Sequence, residues 1–206
     1  MAGKVELLRG YMDEDSLRRF LHSSRDEYER LLWLLMCDAG LRNAEARSIT
    51  PGNFSKDVIL VYGKGGHWDN VIVTVRLWEQ FTLVRKNREM KDDQVLFPWG
   101  ARNVQDRFKR VLKRAGLENK PWTPHTLRHT FATRLLTAGV DIYKVSKMLR
   151  HKSVSTTFGY LHTNPKALKE AAELLDTLNR QGGDASGKDT VGRNTRDSEV
   201  FVSKGY

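Results

Sequence analysis

A single cysteine, Cys37, occurs in the 206 residues, which excludes an internal disulfide and any zinc site built from several thiolates of one chain. Long apolar runs are missing as well. No stretch approaches the ~20 consecutive apolar residues that cross a bilayer, and Met1 to Gly10 lack the apolar centre of a secretion signal. These absences point to a cytoplasmic, reducing compartment and no membrane partner. No internal repeat is visible. Acidic residues are outnumbered, 25 Asp and Glu against 35 Lys and Arg, which leaves a formal charge of +10. Such an excess favours a polyanionic partner, nucleic acid first, because each Lys or Arg docked on a phosphate releases a condensed counterion.

The apolar content of 39% in a chain of this length suffices for one good core and hardly for two. From Gln181 onward the character changes. Gly182, Gly183, Gly187 and Gly192 stand among Ser, Thr, Asp and Lys, which predicts a disordered tail over 181–206. Its charges cancel, Lys188, Arg193, Arg196 and Lys204 against Asp184, Asp189, Asp197 and Glu199. The positive excess therefore sits on 1–180, the expected single globular domain.

Within that domain the patterning predicts an α+β fold, mainly α-helical with a small antiparallel sheet. Asp13 suits the cap of a helix ending before Ser23, and a broad apolar face of Leu31, Leu32, Leu34 and Leu35 marks a second over Asp26 to Asp38. Gly40 suits its stop. A short helix is expected over Asn43 to Ser48. The β-branched segments Asp57 to Tyr62 and Asn70 to Val75 read as paired strands, with Gly63, Lys64, Gly65 and Gly66 in a flexible hairpin tip. Helices are then predicted over Leu77 to Arg88, Asn103 to Arg114, Pro124 to Thr137 and Ile142 to Leu149. A last one starts with Asn164 as cap and Pro165 at its first position, and it places Leu168, Ala171, Ala172 and Leu175 on one stripe that needs a cover.

Three segments carry chemistry. In Thr123-Pro124-His125-Thr126-Leu127-Arg128-His129, Thr123 caps a helix that opens with Pro124. His125 then lies in the first turn, where free N–H groups and the positive dipole end favour a phosphate. Arg128, three residues on, shares its face, so imidazole and guanidinium can converge on one anion. A rival reading takes His125 and His129 as zinc ligands one turn apart, but position 126 is Thr rather than a general-base Glu, and no third ligand motif follows. His129 is better read as packing inside. In Asp38-Ala39-Gly40-Leu41-Arg42-Asn43-Ala44-Glu45, an arginine stands just after a helix-ending glycine, with Glu45 three residues on to hold it. In the third, His151 and Tyr160 are separated by a short helical stretch.

In this order the segments resemble the tyrosine recombinase family, the phage-integrase and Xer-type enzymes, over about residues 10 to 178. Gly40, Leu41, Arg42 and Glu45 match the family's arginine box, and His125, Arg128 and His129 match its H-x-x-R-H box. His151 stands at the third-box His or Trp, Tyr160 at the nucleophile and Lys64 at the catalytic lysine. The resemblance implies metal-independent cleavage and rejoining of double-stranded DNA through a 3′-phosphotyrosine, with no cofactor. Arg42 and Arg128 would stabilise the phosphorane and His125 would accept the phenol proton. Lys64 would protonate the leaving oxygen, His151 would donate to the phosphate, and Glu45 would support Arg42 from behind. His67, close to the tip, is expected to contact DNA or solvent.

The resemblance also implies assembly as a tetramer on paired DNA sites through the C-terminal helix, although folding of that helix back onto its own core is equally compatible. Two features depart from the family. An N-terminal core-binding domain commonly precedes this catalytic part, so a naturally short member and a piece of a longer chain are both compatible. Arg150 replaces the glycine that usually precedes the third-box histidine. Two alternatives stay open: a catalytically idle DNA-binding regulator, and a type IB topoisomerase-like enzyme.

Overall fold

Helices in this chain begin at short polar side chains that satisfy otherwise orphaned N–H groups. The computed structural model describes residues 10–63 and 66–151, all within the first of the chain's two units, Met1–Ala167. Helix α1 (Glu14–His22) is capped by Asp13, which accepts the Ser16 N–H at 2.7 Å. Helix α2 (Glu27–Cys37) is capped by Asp26, which accepts the Glu29 N–H at 2.7 Å. Every residue of α2 from Leu31 to Cys37 is buried, as befits a helix that is apolar all round. It is the axis of the core and packs against α4 (Val75–Arg88) and α6 (Pro124–Thr137). Phe20, Trp33 and Phe108 close one side in edge and tilted contacts, with centroids 4.8–5.7 Å apart.

Buried Glu29 ties α2 to α5 (Ala101–Arg114): its carboxylate takes the Arg114 guanidinium at 2.7 Å and lies 3.5 Å from that of Arg107. A second, smaller core joins α6 to α7 (Ile142–Met148) through Phe131, Ala132, Leu136, Val145 and Leu149.

The sheet is an antiparallel pair, β1 (Val58–Tyr62) and β2 (Trp68–Ile72), with Val58 opposite Ile72 and Tyr62 opposite Trp68. Ile59, Val61 and Val71 turn into the core. The expected second strand, Asn70 to Val75, is thus two residues late at its start and three too long at its end. Thr74 belongs to the next element: its hydroxyl accepts the Leu77 N–H at 3.2 Å and caps α4, which begins at Val75 rather than Leu77. Likewise α5 begins at Ala101 behind Gly100, two residues ahead of the expected Asn103, and α7 ends at Met148, one short of Leu149. The α+β class, mainly helical with a small antiparallel sheet, is as read. Among the described residues no helix is long and apolar enough to cross a membrane.

Between α2 and the short helix α3 (Asn43–Ser48) the chain reverses at Gly40. The Leu41 N–H reaches back to the Leu35 carbonyl at 3.1 Å, the long closure of a helix C-terminus, with Gly40 at φ +63°. A Cβ at residue 40 would lie 2.7–2.8 Å from ring carbons of Phe131. Gly40→Ala therefore combines a left-handed backbone penalty with overpacking, and a loss of about 2 kcal/mol or more is expected. A lower denaturation midpoint at unchanged m-value checks it.

Candidate active site

Arg42 leaves that turn at the N-cap position of α3, where a cationic side chain cannot accept an N–H. Glu45 takes over. Its Oε2 accepts the Arg42 N–H at 2.8 Å and its Oε1 the Arg42 Nη1–H at 2.7 Å. The carboxylate is 6% exposed, the Arg42 side chain 36%. The arginine is thus held at its backbone and at its guanidinium, and part of its side chain faces solvent.

Arg128 arrives from α6. The helix starts behind Thr123, whose N–H donates to the Thr126 hydroxyl at 3.1 Å, with Pro124 in its first turn. One turn on, the Arg128 side chain is 2% exposed and donates to two main-chain carbonyls, those of Gly40 and Leu149. Its Nη1 is 4.0 Å from Glu45 Oε2. The third segment is the end of α7. The Arg150 N–H bonds the Lys147 carbonyl at 2.9 Å and the His151 N–H the Ser146 carbonyl at 3.1 Å, a Schellman closure in which Arg150 takes the left-handed position, φ +54°. The Arg150 guanidinium reaches Glu45 Oε2 at 2.6 Å, and its carbonyl accepts from Arg42 Nη2 at 3.4 Å. One carboxylate therefore gathers the guanidinium of its own segment and those of two distant ones.

Burial alone would raise the Glu45 carboxyl, but the Arg150 charge and the hydrogen bonds from Arg42 outweigh it and hold its pKa below the ordinary carboxylate value. The histidines respond in the opposite sense. His151 is lowered to about 4 by desolvation and then by the charges of Arg128, Arg42 and Arg150. His129 is also lowered to about 4, by desolvation and then by His125 and Arg128, and it packs edge-on against His125 with centroids 4.5 Å apart. The His125 ring is lowered by desolvation, then by Arg128 and Arg42. At neutral pH these rings are uncharged, each with one N–H to give and one nitrogen to accept.

A cleft of about 540 Å³ opens here, with Arg42, Arg150, His151 and Lys147 on one side and Gly63, His67 and Asp69 of the hairpin on the other. His67 Nε2 stands 3.4 Å from Asp69 Oδ2. Arg42, Glu45, His125, Arg128, His129 and His151 thus share one neighbourhood. Among the described residues no cluster of His, Cys, Asp and Glu has the makings of a metal site, and the His125–His129 pair gains no third ligand there. Lys64, Tyr160, the helix expected from Asn164 and the tail 181–206 lie outside the described residues. Sequence reasoning missed Asp69, Lys147 and the Arg150–Glu45 pair. The one available signal was an arginine where a left-handed position prefers glycine.

The phage integrase family matches residues 10–167. Tyrosine recombinase XerA of Pyrococcus horikoshii is 33% identical over 182 residues, covering 81% of this chain and 62% of its own length. The chain thus spans less than two thirds of that relative. A crystal structure of XerA recombinase superposes with a TM-score of 0.67 at 28% identity, over 80% of this chain and 64% of that one. A post-cleavage complex of XerH site-specific recombinase bound to palindromic difH substrate gives 0.68 at 26% identity, over 82% and 54%.

The lowered histidines make stability pH-dependent. A histidine with a folded pKa of about 4 against an ordinary 6.5 binds its proton more readily in the unfolded chain. Stability therefore falls as the pH drops through that window. The urea midpoint should fall from pH 7 to pH 4, less steeply in His151→Asn, and the His151 ring should still be neutral at pH 5.5 by NMR. A level wild-type profile would contradict the assignment.

Proposed function

Because the chain belongs to the phage integrase family of tyrosine recombinases, we propose that it cuts and rejoins double-stranded DNA as a site-specific recombinase. The observation that carries this reading is the convergence of Arg42, Arg128 and Arg150 on Glu45 beside two uncharged histidines. Fixed cations of this kind stabilise a phosphorane without reorganising when charge develops. A phosphodiester seated in the cleft meets Arg42 directly, while buried Arg128 acts through its field and through the segments it fixes.

In the proposed step the Tyr160 oxygen attacks the phosphorus in line and its proton passes to His125, whose lowered pKa keeps an acceptor nitrogen available at neutral pH. The P–O5′ bond breaks, and the leaving oxygen takes a proton from Lys64 at the hairpin tip. His151, neutral by the same causes, donates its N–H to a phosphate oxygen. The 3′-phosphotyrosine retains the bond energy, so a 5′-hydroxyl from another strand reverses the step and reseals the DNA. Positive charge comes from the chain's own arginines, and no cofactor enters the scheme.

The domain reading is that 1–180 form the catalytic part and 181–206 a disordered tail. Assembly is proposed as a tetramer on paired DNA sites, with the stripe of Leu168, Ala171, Ala172 and Leu175 docking on a neighbour. A DNA substrate fits the cytoplasmic location expected from the sequence. Support for a DNA partner comes from the XerH structure, which carries its difH substrate.

A nicked suicide substrate tests the chemistry. The wild-type chain should form a covalent protein–DNA adduct that resists denaturant, Tyr160→Phe should form none, and Arg42→Ala should form it at least ~100-fold more slowly. Binding without adduct in the wild-type chain would instead identify a DNA-binding regulator.

A further inference from the structure

Residue 150 is the C′ position of α7, with φ +54°, a conformation in which glycine costs nothing and a side chain is strained. Arginine there is a poor choice for the turn alone. What it adds is a guanidinium on Glu45 Oε2 at 2.6 Å, the oxygen that also accepts the Arg42 N–H at 2.8 Å. The side chain is 9% exposed, so the pair is shielded from solvent. The Arg150 carbonyl, in turn, accepts from Arg42 Nη2 at 3.4 Å. Residue 150 therefore holds Arg42 twice, once through its carbonyl and once through the carboxylate.

We infer that Arg150 is a positioning residue for the phosphate cleft: it fixes Glu45, and through Glu45 the Arg42 guanidinium, at the cost of a strained helix terminus. The inference rests on the strand-transfer reading and deepens it. Glu45 bonded to Arg42 alone could swing with it, and bonded to Arg150 as well it is pinned by a segment more than a hundred residues away in sequence. Arg150 also changes the local charge balance. With it, one carboxylate faces three guanidinium groups, so this cluster keeps a net positive charge of two rather than one.

Arg150→Gly separates function from folding, because it gives the turn the residue it prefers. The expected result is an unchanged or higher Tm together with a roughly tenfold slower adduct formation on the nicked substrate, a factor worth about 1.4 kcal/mol. Arg150→Lys, which keeps the charge and loses the planar fork, should restore part of the rate. A purely structural arginine predicts the reverse: adduct formation in Arg150→Gly equal to wild type overturns the inference while leaving the strand-transfer reading intact. Should the wild-type chain form no adduct, that reading fails, and affinity for inorganic phosphate, followed at the His151 ring signals, then decides. Weaker phosphate binding in Arg150→Gly with recovery in Arg150→Lys upholds the inference, and equal binding in all three overturns it.

Discussion

Arg128 holds its guanidinium in the interior, where it donates to two main-chain carbonyls, those of Gly40 and Leu149. Burying an ion costs several kcal/mol unless its donors are matched, and a buried guanidinium is retained only where geometry matches them. Here the matching partners are the ends of two helices that are far apart in sequence. Arg42 lies two residues beyond one carbonyl and His151 two beyond the other. The position of every cleft-facing group on α3 and after α7 is therefore referred to a side chain that scarcely touches solvent. Removing that side chain would leave two inward carbonyls unpaired and uncouple the segments, so its loss bears on folding as much as on chemistry.

The two helix ends reach this arrangement by different residues. Both close with a long backbone bond, Leu41 to Leu35 and His151 to Ser146, and both need a left-handed residue to do so. At 40 the Phe131 ring leaves room for no side chain, and glycine is obligatory. At 150 nothing comparable intervenes. The strain of a non-glycine residue, of order 1 kcal/mol, is offset by a shielded ion pair to Glu45. Strain held at such a point is tolerable because the core elsewhere is dense: α2 is buried from Leu31 to Cys37, and its Trp33 packs against the rings of Phe20 and Phe108.

What the sequence discloses follows the range of the interaction that fixes each feature. Local signals were legible: Asp13 caps as read, α2 starts within one residue of the expected Asp26, Pro124 opens α6, and Gly40 follows the end of α2. The grouping of Arg42, Glu45, His125, Arg128 and His151 was legible only through the family pattern, because nothing in local spacing brings residues 42 and 128 together. Strand β2 was misjudged because Val71, Ile72, Val73, Thr74 and Val75 are all β-branched, and that run hides Thr74, whose hydroxyl starts the next helix. Propensity lost to a cap. The Arg150–Glu45 pair spans more than a hundred residues and has no local signature beyond an unexpected arginine.

Helix polarity accounts for the sorting of charge at the site. The α2 and α7 ends that meet Arg128 are C-termini, whose orphaned carbonyls carry partial negative charge and attract cations. The third helix contributes its N-terminus, and His125 in its first turn sits where backbone N–H groups favour an anion. Cations are thus held from behind by carbonyl ends and by Glu45, while the open side keeps positive potential and uncharged imidazoles. An anion entering the cleft would meet donors on several sides. Its own charge would oppose the lowering of His125 and His151, which burial causes first and the nearby arginines second. An uncharged imidazole keeps one nitrogen able to take a proton at neutral pH, and a neighbouring anion would raise its basicity.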